Sequence, residues 1–309
     1  MSVLSTSLAD AVREHPGADA VLVGLVGSGI GPSLSPPLHE TEARRLGMRY
    51  HYRRIDLDDL GLTASAIGDV IAAARRAGYR GLNITHPCKQ TVLAYLDELS
   101  PDATALGAVN TVVFDGDKAV GHNTDWSGFA RGLEEGLPGV SLDSVVLLGA
   151  GGAGAAVAHG LLTSGAGHLR VLDLEGSRAE ALAASLRTRF GDARATAGGE
   201  LASALAVADG FVHATPTGMA AHPGLPLPAE LLRPELWVAD VVYRPLDTEL
   251  VTTARELGCR VLDGGRMAVF QAADAFRLFT GADPDTGRML RHFDHLAGPR
   301  ERQAADVLD

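Results

Sequence analysis

Short apolar runs alternate along this chain with longer stretches of helical periodicity, the pattern of a mostly parallel α/β architecture. Val21 to Val26, His51 to Asp56, Gly81 to Thr85 and Val109 to Phe114 read as strands. Asp115-Gly116 is a tight-turn signal, so Lys118 to Asn123 returns as the second arm of a hairpin. Ser127 to Glu135 reads as a helix, and the Gly136, Pro138, Gly139 cluster after it marks a domain junction, because these residues interrupt regular structure.

From Asp143 the pattern restarts. Val145-Val146-Leu147-Leu148 is a fully apolar strand, and the glycine-rich run Gly149 to Gly154 follows it at once and opens a small-residue helix to about Ser164. Ser177 and Glu180 have the spacing of a capping box, which predicts a helix from there to about Phe190. Phe211 to Ala214, Trp237 to Val242 and Arg260 to Asp263 read as further strands, and Met267 to Phe279 as an amphipathic helix closed by Gly281. The tail from Ala297 is polar and predicted to fray.

Composition narrows the class. With 309 residues, 46% hydrophobic and 21% charged, the chain is long enough for two separate cores. No apolar run approaches the roughly 20 residues that span a bilayer, and Met1 to His15 lacks the pattern of a secretion signal, so a cytoplasmic enzyme is expected. The two cysteines, Cys88 and Cys259, read as reduced thiols, and the eleven histidines show no metal-ligand spacing, so no metal site is expected. A formal charge of -11 argues against nucleic acid as a partner. An anionic substrate must then be held by local donors against the overall field.

In Gly149-Ala150-Gly151-Gly152-Ala153-Gly154, the first glycine permits a tight turn, Gly151 lets backbone amides approach a pyrophosphate, and Gly154 lets helix and strand pack closely. A lone match is weak. This one follows a strand, opens a helix and has Asp173 at the end of the next strand, the context of a Rossmann-type dinucleotide site. The Asp173 carboxylate can accept from ribose hydroxyls and repels a 2′-phosphate, while Leu174 and Glu175 supply no cation, so NAD is preferred over NADP. Arg178 is close enough in sequence to reach round to the same place, and Asp173 could also be a plain strand-end carboxylate.

Further segments are polar where a core should be apolar. Ser33 and Ser35, in Gly31-Pro32-Ser33-Leu34-Ser35-Pro36, present two hydroxyls on one side if the prolines keep the chain extended, a pair able to donate to a carboxylate. Asn83, Thr85 and Lys89 cluster at a strand end, with Asn110-Thr111 and Asn123-Thr124-Asp125 downstream. The motifs S-x-S-P-x-x-H, N-x-T-x-P-x-K, G-A-V-N-T, G-x-N-T-D, G-A-G-G-A-G and A-T-P-x-G-M occur in this order. On them, from about Leu25 to Phe293, the chain resembles the shikimate dehydrogenase family and within it the NAD-dependent quinate/shikimate dehydrogenases.

The resemblance implies an N-terminal α/β substrate-binding domain (1–124, completed by C-terminal helices 265–309) and a Rossmann-type dinucleotide-binding domain (125–264), with a cleft between them. It implies an oxidoreductase that interconverts shikimate and 3-dehydroshikimate, and also quinate and 3-dehydroquinate, with Lys89 and Asp125 as the proton-transfer pair. Ser33 and Ser35 become carboxylate anchors, and Asn83, Thr85, Asn110, Asp125, Gln271 and Tyr243 surround the substrate ring. Thr215, Pro216, Gly218, Met219, Val242, Gly264 and Met267 join Gly149 to Gly154, Asp173 and Arg178 around the cofactor. The aligned NADP-type motif is N-R-T, and Asp173-Leu174-Glu175 departs from it. Ser35 tilts the substrate toward shikimate, because quinate-preferring members often replace that serine. A homodimer is compatible with this reading.

Plainer readings stand beside these. Lys89 alone would be a solvated charge, Asp125 could cap a helix, Ser33 and Ser35 could be turn residues, and Tyr243 and Gln271 ordinary strand and helix residues. His39, His86 and His122 read as structural. At the level of function, the alternatives are a quinate- or aminoshikimate-preferring dehydrogenase, a non-catalytic cofactor-sensing regulator, and a dehydrogenase of an unrelated substrate such as a folate derivative, which the paired serines disfavour.

Overall fold

The computed structural model describes residues 20–298, which form two compact units, residues 20–124 with 271–289 and residues 125–270 with 290–298. The first unit runs β1 (Val21–Gly27), α1 (Ser35–Arg45), β2 (Tyr50–Asp56), α2 (Ile67–Arg76), β3 (Gly81–Ile84), β4 (Glu98–Leu99), α3 (Pro101–Leu106), β5 (Thr111–Asp115) and β6 (Lys118–His122). Its six-stranded sheet has the order β2-β1-β3-β5-β6-β4. Strands β1 to β3 are parallel, and β5 runs antiparallel between β3 and β6. Along β1 the side chains alternate between two cores. Leu22 and Val26 pack with Val70, Ile71 and Leu82, while Val23 and Leu25 pack with Tyr50, Phe276 and Phe279. An uninterrupted apolar run is what a parallel strand covered on both faces requires.

The second unit runs α4 (Asp125–Gly136), β7 (Ser144–Leu148), α5 (Gly152–Thr163), β8 (His168–Leu172), α6 (Gly176–Phe190), β9 (Ala195–Ala197), α7 (Leu201–Leu205), β10 (Gly210–His213), β11 (Trp237–Asp240), α8 (Glu249–Glu256) and β12 (Val261–Leu262). All six strands are parallel in the order β12-β11-β10-β7-β8-β9. This is the doubly wound order, whose direction reverses between β7 and β10. Val145 and Leu147 fill the core on one face of β7, and Val146 that on the other.

Two last helices, α9 (Gly264–Thr280) and α10 (Thr286–Ala297), are each divided between the units. The sequence predicts a dinucleotide domain ending at 264, with 265–309 completing the N-terminal domain. Residues 265–270 and 290–298 group with the second unit and 271–289 with the first, where Ala275, Phe276 and Phe279 join the core on β1 and β2. Residues beyond 298, including most of the tail expected to fray, lie outside the described residues.

Most predicted elements are present, with three local corrections. The segment through Ser33 and Ser35 is not extended. Ser35 opens α1, since prolines at 36 and 37 suit the first helical turn, where no amide partner is needed. The Ser177/Glu180 capping box does not form, because α6 already begins at Gly176, and Glu180 pairs with Arg187 at 2.7 Å. Strand β11 stops at Asp240 rather than Val242, because the Asp240 carboxylate accepts the Val242 amide at 3.0 Å and turns the backbone out of the ladder.

Helix α1 is held at its C-terminal half by an ion pair whose acid is buried and whose arginine is partly exposed. The Glu42 side chain, 1% exposed, accepts from Arg288 Nε at 2.8 Å, Arg288 Nη2 at 2.5 Å and the Asp285 amide at 2.8 Å. Arg288 also pairs with Asp285 at 3.1 Å, so Glu42→Gln removes charge-assisted hydrogen bonds without stranding a charge and is expected to lower unfolding free energy by about 2 kcal/mol in urea denaturation. A loss below about 1 kcal/mol would mark the pair as behaving like a surface contact.

Candidate active site

In the second unit, β7 ends at Leu148 and the backbone turns at Gly149, with φ +110°. A side chain there would lie 2.5 Å from the Ala214 carbonyl, and a Cβ on Gly154 would lie 1.9 Å from the Gly149 carbonyl, so both positions must be glycine for α5 to approach β7. Gly151 and Gly152 differ, since a Cβ at either meets nothing within 4 Å of the protein. The space beside the first turn of α5 is open, and its amides have no earlier helical carbonyl to bind, which fits a dinucleotide pyrophosphate. Ala150 and Ala153 complete the same loop and first turn.

Asp173 is half-buried directly after β8. Its Oδ2 accepts the Ala150 amide at 2.7 Å and its Oδ1 accepts the Glu175 amide at 2.9 Å, so this carboxylate ties the glycine-rich loop to the end of β8. Arg178, the one nearby cation named from the sequence, is in an ion pair with Glu175 at 2.8 Å, and Leu174 projects fully into solvent.

On the other side of the reversal, β10 leads into Thr215, Pro216, Gly218 and Met219. Gly149 and this loop touch, as the Thr215 methyl stands 3.0 Å from a Gly149 Cβ position. Gly218, with φ +93°, donates its amide to the His222 carbonyl at 2.7 Å and shapes the loop. Gly218, Met219, Tyr243 and Thr248 line an open cavity of about 540 Å³. Val242 is buried against Gly264, whereas Met267 packs on the core below the sheet. Asp125 is buried in the first turn of α4, where the helix dipole favours a carboxylate. Burial pushes the Tyr243 hydroxyl up from its ordinary value, Arg244 opposes that, and the Asp125 charge adds to it, so Tyr243 and Asp125 share one electrostatic neighbourhood.

In the first unit the polar residues gather where β1 and β3 end and β5 begins. Asn83 pairs across the sheet with Thr111, and Thr111 with His122. The Asn110 carbonyl accepts from the Ile84 amide at 2.7 Å, and the Lys89 carbonyl accepts from the Val109 amide at 2.9 Å, so Lys89 is tethered beside Asn110. Asn110 Oδ1 accepts the Thr124 amide at 2.8 Å, and its Nδ2 donates to the Thr124 hydroxyl at 2.9 Å, fixing the backbone immediately before Asp125. Thr85 donates its amide to Val26, and Ser28 to the His86 carbonyl, which brings the end of β1 and the Thr85–Lys89 segment together. Ser33 and Ser35 lie on the continuation of β1. Ser33 Oγ accepts the Ser35 amide at 3.3 Å, and because Pro36 and Pro37 have no amide hydrogen, hydroxyls rather than amides are the donors at this helix start. Gln271 is half-buried, one turn before Ala275 on the helix face that packs on β1 and β2.

One positioning residue was not foreseen. Asn83 Nδ2 donates to the Asn110 carbonyl at 3.3 Å and to Thr111 Oγ1 at 3.0 Å, and since a carbonyl only accepts, the amide orientation is fixed. The Tyr52 hydroxyl therefore donates to Asn83 Oδ1, at 2.6 Å. The only sequence signal was the alternation of Tyr50 and Tyr52 along β2. Among the described residues there is no group of three or more His, Cys, Asp or Glu able to hold a metal, and no helix is long and apolar enough to cross a membrane.

His39, in the serine motif, is a core residue. It is fully buried against Tyr52, Phe276 and Phe279, lies 3.0 Å from the Tyr50 hydroxyl through Nδ1, and burial lowers its pKa to about 3. With a folded value below the ordinary 6.5, protonation favours the unfolded chain, so stability is full above pH 6.5 and falls as pH drops toward 3. The slope from this residue is about 1.4 kcal/mol per pH unit. His39→Phe is expected to remove that share of the slope in denaturation curves taken from pH 7 to pH 4, and an unchanged slope would show that His39 does not titrate with unfolding.

Residues 25–112 match the model of the shikimate dehydrogenase substrate binding domain. A shikimate dehydrogenase (NADP(+)) of Streptomyces avermitilis is 65% identical over 91% of this chain and 97% of its own length. A quinate/shikimate dehydrogenase (NAD(+)) of Corynebacterium glutamicum is 52% identical over 89% of this chain and 98% of its own. Among solved structures, quinate dehydrogenase from Corynebacterium glutamicum in complex with NAD superposes with a TM-score of 0.83 at 50% identity, covering 89% of this chain and 99% of that one.

Proposed function

Because the chain belongs to the shikimate dehydrogenase family of oxidoreductases acting on CH–OH groups, we propose that it uses NAD to oxidise and reduce a ring hydroxyl of a shikimate- or quinate-type acid, with Lys89 and Asp125 handling the proton. In this reading residues 1–124, with the C-terminal helical segments that pack on β1 and β2, bind the acid, and the parallel sheet of the second unit binds the dinucleotide. The bound dinucleotide supplies the hydride acceptor. As the carbinol becomes a ketone, Lys89 takes the hydroxyl proton, and in the reverse direction it returns it. Asp125 orients the lysine and the reacting oxygen. Ser33 and Ser35 donate to the substrate carboxylate. Asn83 has both amide hydrogens engaged, so it meets a ring hydroxyl as an acceptor, while Thr85, Asn110, Tyr243 and Gln271 complete the polar lining. The observation that supports the catalytic assignment is the tether of Lys89 to Val109, which sets it beside Asn110 at the strand ends.

The cofactor names of the relatives divide, NADP for one and NAD for the other, so the preference rests on this chain's own residues. A 2′-phosphate would meet the Asp173 carboxylate, and beside Arg178 stands the Glu175 carboxylate at 2.8 Å, a second negative charge. Ribose hydroxyls can still donate to the lone pairs that Asp173 has left.

Lys89→Ala should lower kcat by about 100- to 10,000-fold while dinucleotide affinity stays unchanged, since proton transfer alone is removed. Stopped-flow and steady-state rates within about threefold of the parent would reject the role. The double variant Asp173→Ala with Leu174→Arg should move the NAD/NADP ratio of kcat/KM toward NADP, and an unchanged ratio would remove the basis for the preference.

A further inference from the structure

Strands β10 and β11 end in register on His213 and Asp240, and both side chains are fully buried. His213 Nδ1 lies 2.9 Å from Asp240 Oδ1. The same carboxylate also accepts the Val242 amide at 3.0 Å and the Thr248 hydroxyl at 2.7 Å. A carboxylate brings no proton, so a ring hydrogen is on Nδ1. Thr215 Oγ1 stands 2.5 Å from Nε2. Its oxygen accepts the Thr217 amide at 3.3 Å, and its hydroxyl is placed to donate to the Thr217 hydroxyl oxygen at 3.3 Å. None of these buried groups takes part in the proton transfer assigned to Lys89 and Asp125. Their common endpoint is Thr215, beside Gly149 at the point where the strand order reverses.

We propose that Asp240 and His213 are positioning residues for the dinucleotide, holding the Thr215 side chain in place beside the glycine-rich loop. The proposal rests on the reading of residues 215–219 as a cofactor-binding loop. A relay of this kind in an acyl-transfer enzyme would activate the hydroxyl as a nucleophile; here it fixes the place of the Thr215 oxygen and the shape of the loop.

One near-isosteric substitution separates the ends of the ring. In His213→Asn, an amide nitrogen takes the place of Nδ1 and keeps the Asp240 bond, while the reach to Thr215 is lost. The expected result, by calorimetry with NAD alone and by steady-state kinetics, is about tenfold weaker dinucleotide binding, roughly the worth of one positioning hydrogen bond. The KM for the hydroxy acid should stay within about threefold. Thr215→Val should reproduce the effect and Thr215→Ser should restore binding, and this second pair decides the matter if His213→Asn fails to fold.

Gly218→Val reshapes the loop without touching the relay, since it forces a side chain onto a φ of +93° beside Thr248. If Gly218→Val weakens NAD binding and neither His213→Asn nor Thr215→Val does, the positioning role is overturned while the cofactor loop stands. If none of the three changes NAD binding, the loop reading has failed and takes the proposal with it. Equal losses in dinucleotide and hydroxy-acid affinity would reduce His213 to a general structural residue and overturn the positioning role.

Discussion

A helix cannot turn back onto a buried strand after only the three residues 149–151 unless backbone approaches backbone, and at Gly149 and Gly154 it does so with no room for a side chain. That close approach is what the second unit is built around. It leaves the first turn of α5 with unused amides and open space above Gly151 and Gly152, and it sets Thr215 against the loop from the neighbouring strand. The Asp173 carboxylate then fastens the loop through the Ala150 amide. A single side chain thus acts twice, as a brace for the turn and as the group that a ribose or a phosphate would meet.

The first unit solves a different problem with the same economy. An antiparallel strand set between β3 and β6 makes Asn83, Thr111 and His122 neighbours across three strands, and it gathers polar side chains at one end of these strands. Buried amides are costly unless paired, and each hydrogen of Asn83 has a partner. The pairing also removes freedom. An asparagine whose donors are spent, and whose carbonyl is already bound by Tyr52, can only accept one further hydrogen. Thr215 in the second unit is likewise held by a buried side chain, His213. In both places a residue on a neighbouring position of the sheet fixes a polar side chain at a strand end.

The architecture was legible because apolar runs and glycine placement are local signals. Val145 to Leu148 followed by glycines, and Asp115-Gly116 between two strands, are visible without any long-range information. The misreadings were also local. Pro36 and Pro37 suggested extended chain, yet prolines are equally at home in a first helical turn, and only the positions of α1 that are buried, among them Leu38, His39 and Glu42, decide between the two. The Ser177/Glu180 pattern had the spacing of a cap, but the helix had already begun. For the site, motif residues such as Asn83, Lys89, Asn110 and Asp173 were named from sequence, whereas Tyr52 and the His213–Asp240 pair were not named. Those act through contacts 31 and 27 residues away in sequence, on strands whose adjacency is a property of the sheet order and has no local signature.

The direct measurement is the initial rate of reduced-dinucleotide formation by the purified protein with shikimate and with quinate, each supplied with NAD and with NADP. Turnover of at least one of the two acids, with a higher kcat/KM for NAD than for NADP, is the predicted result. No reduced dinucleotide from either acid, or a preference for NADP, would contradict it.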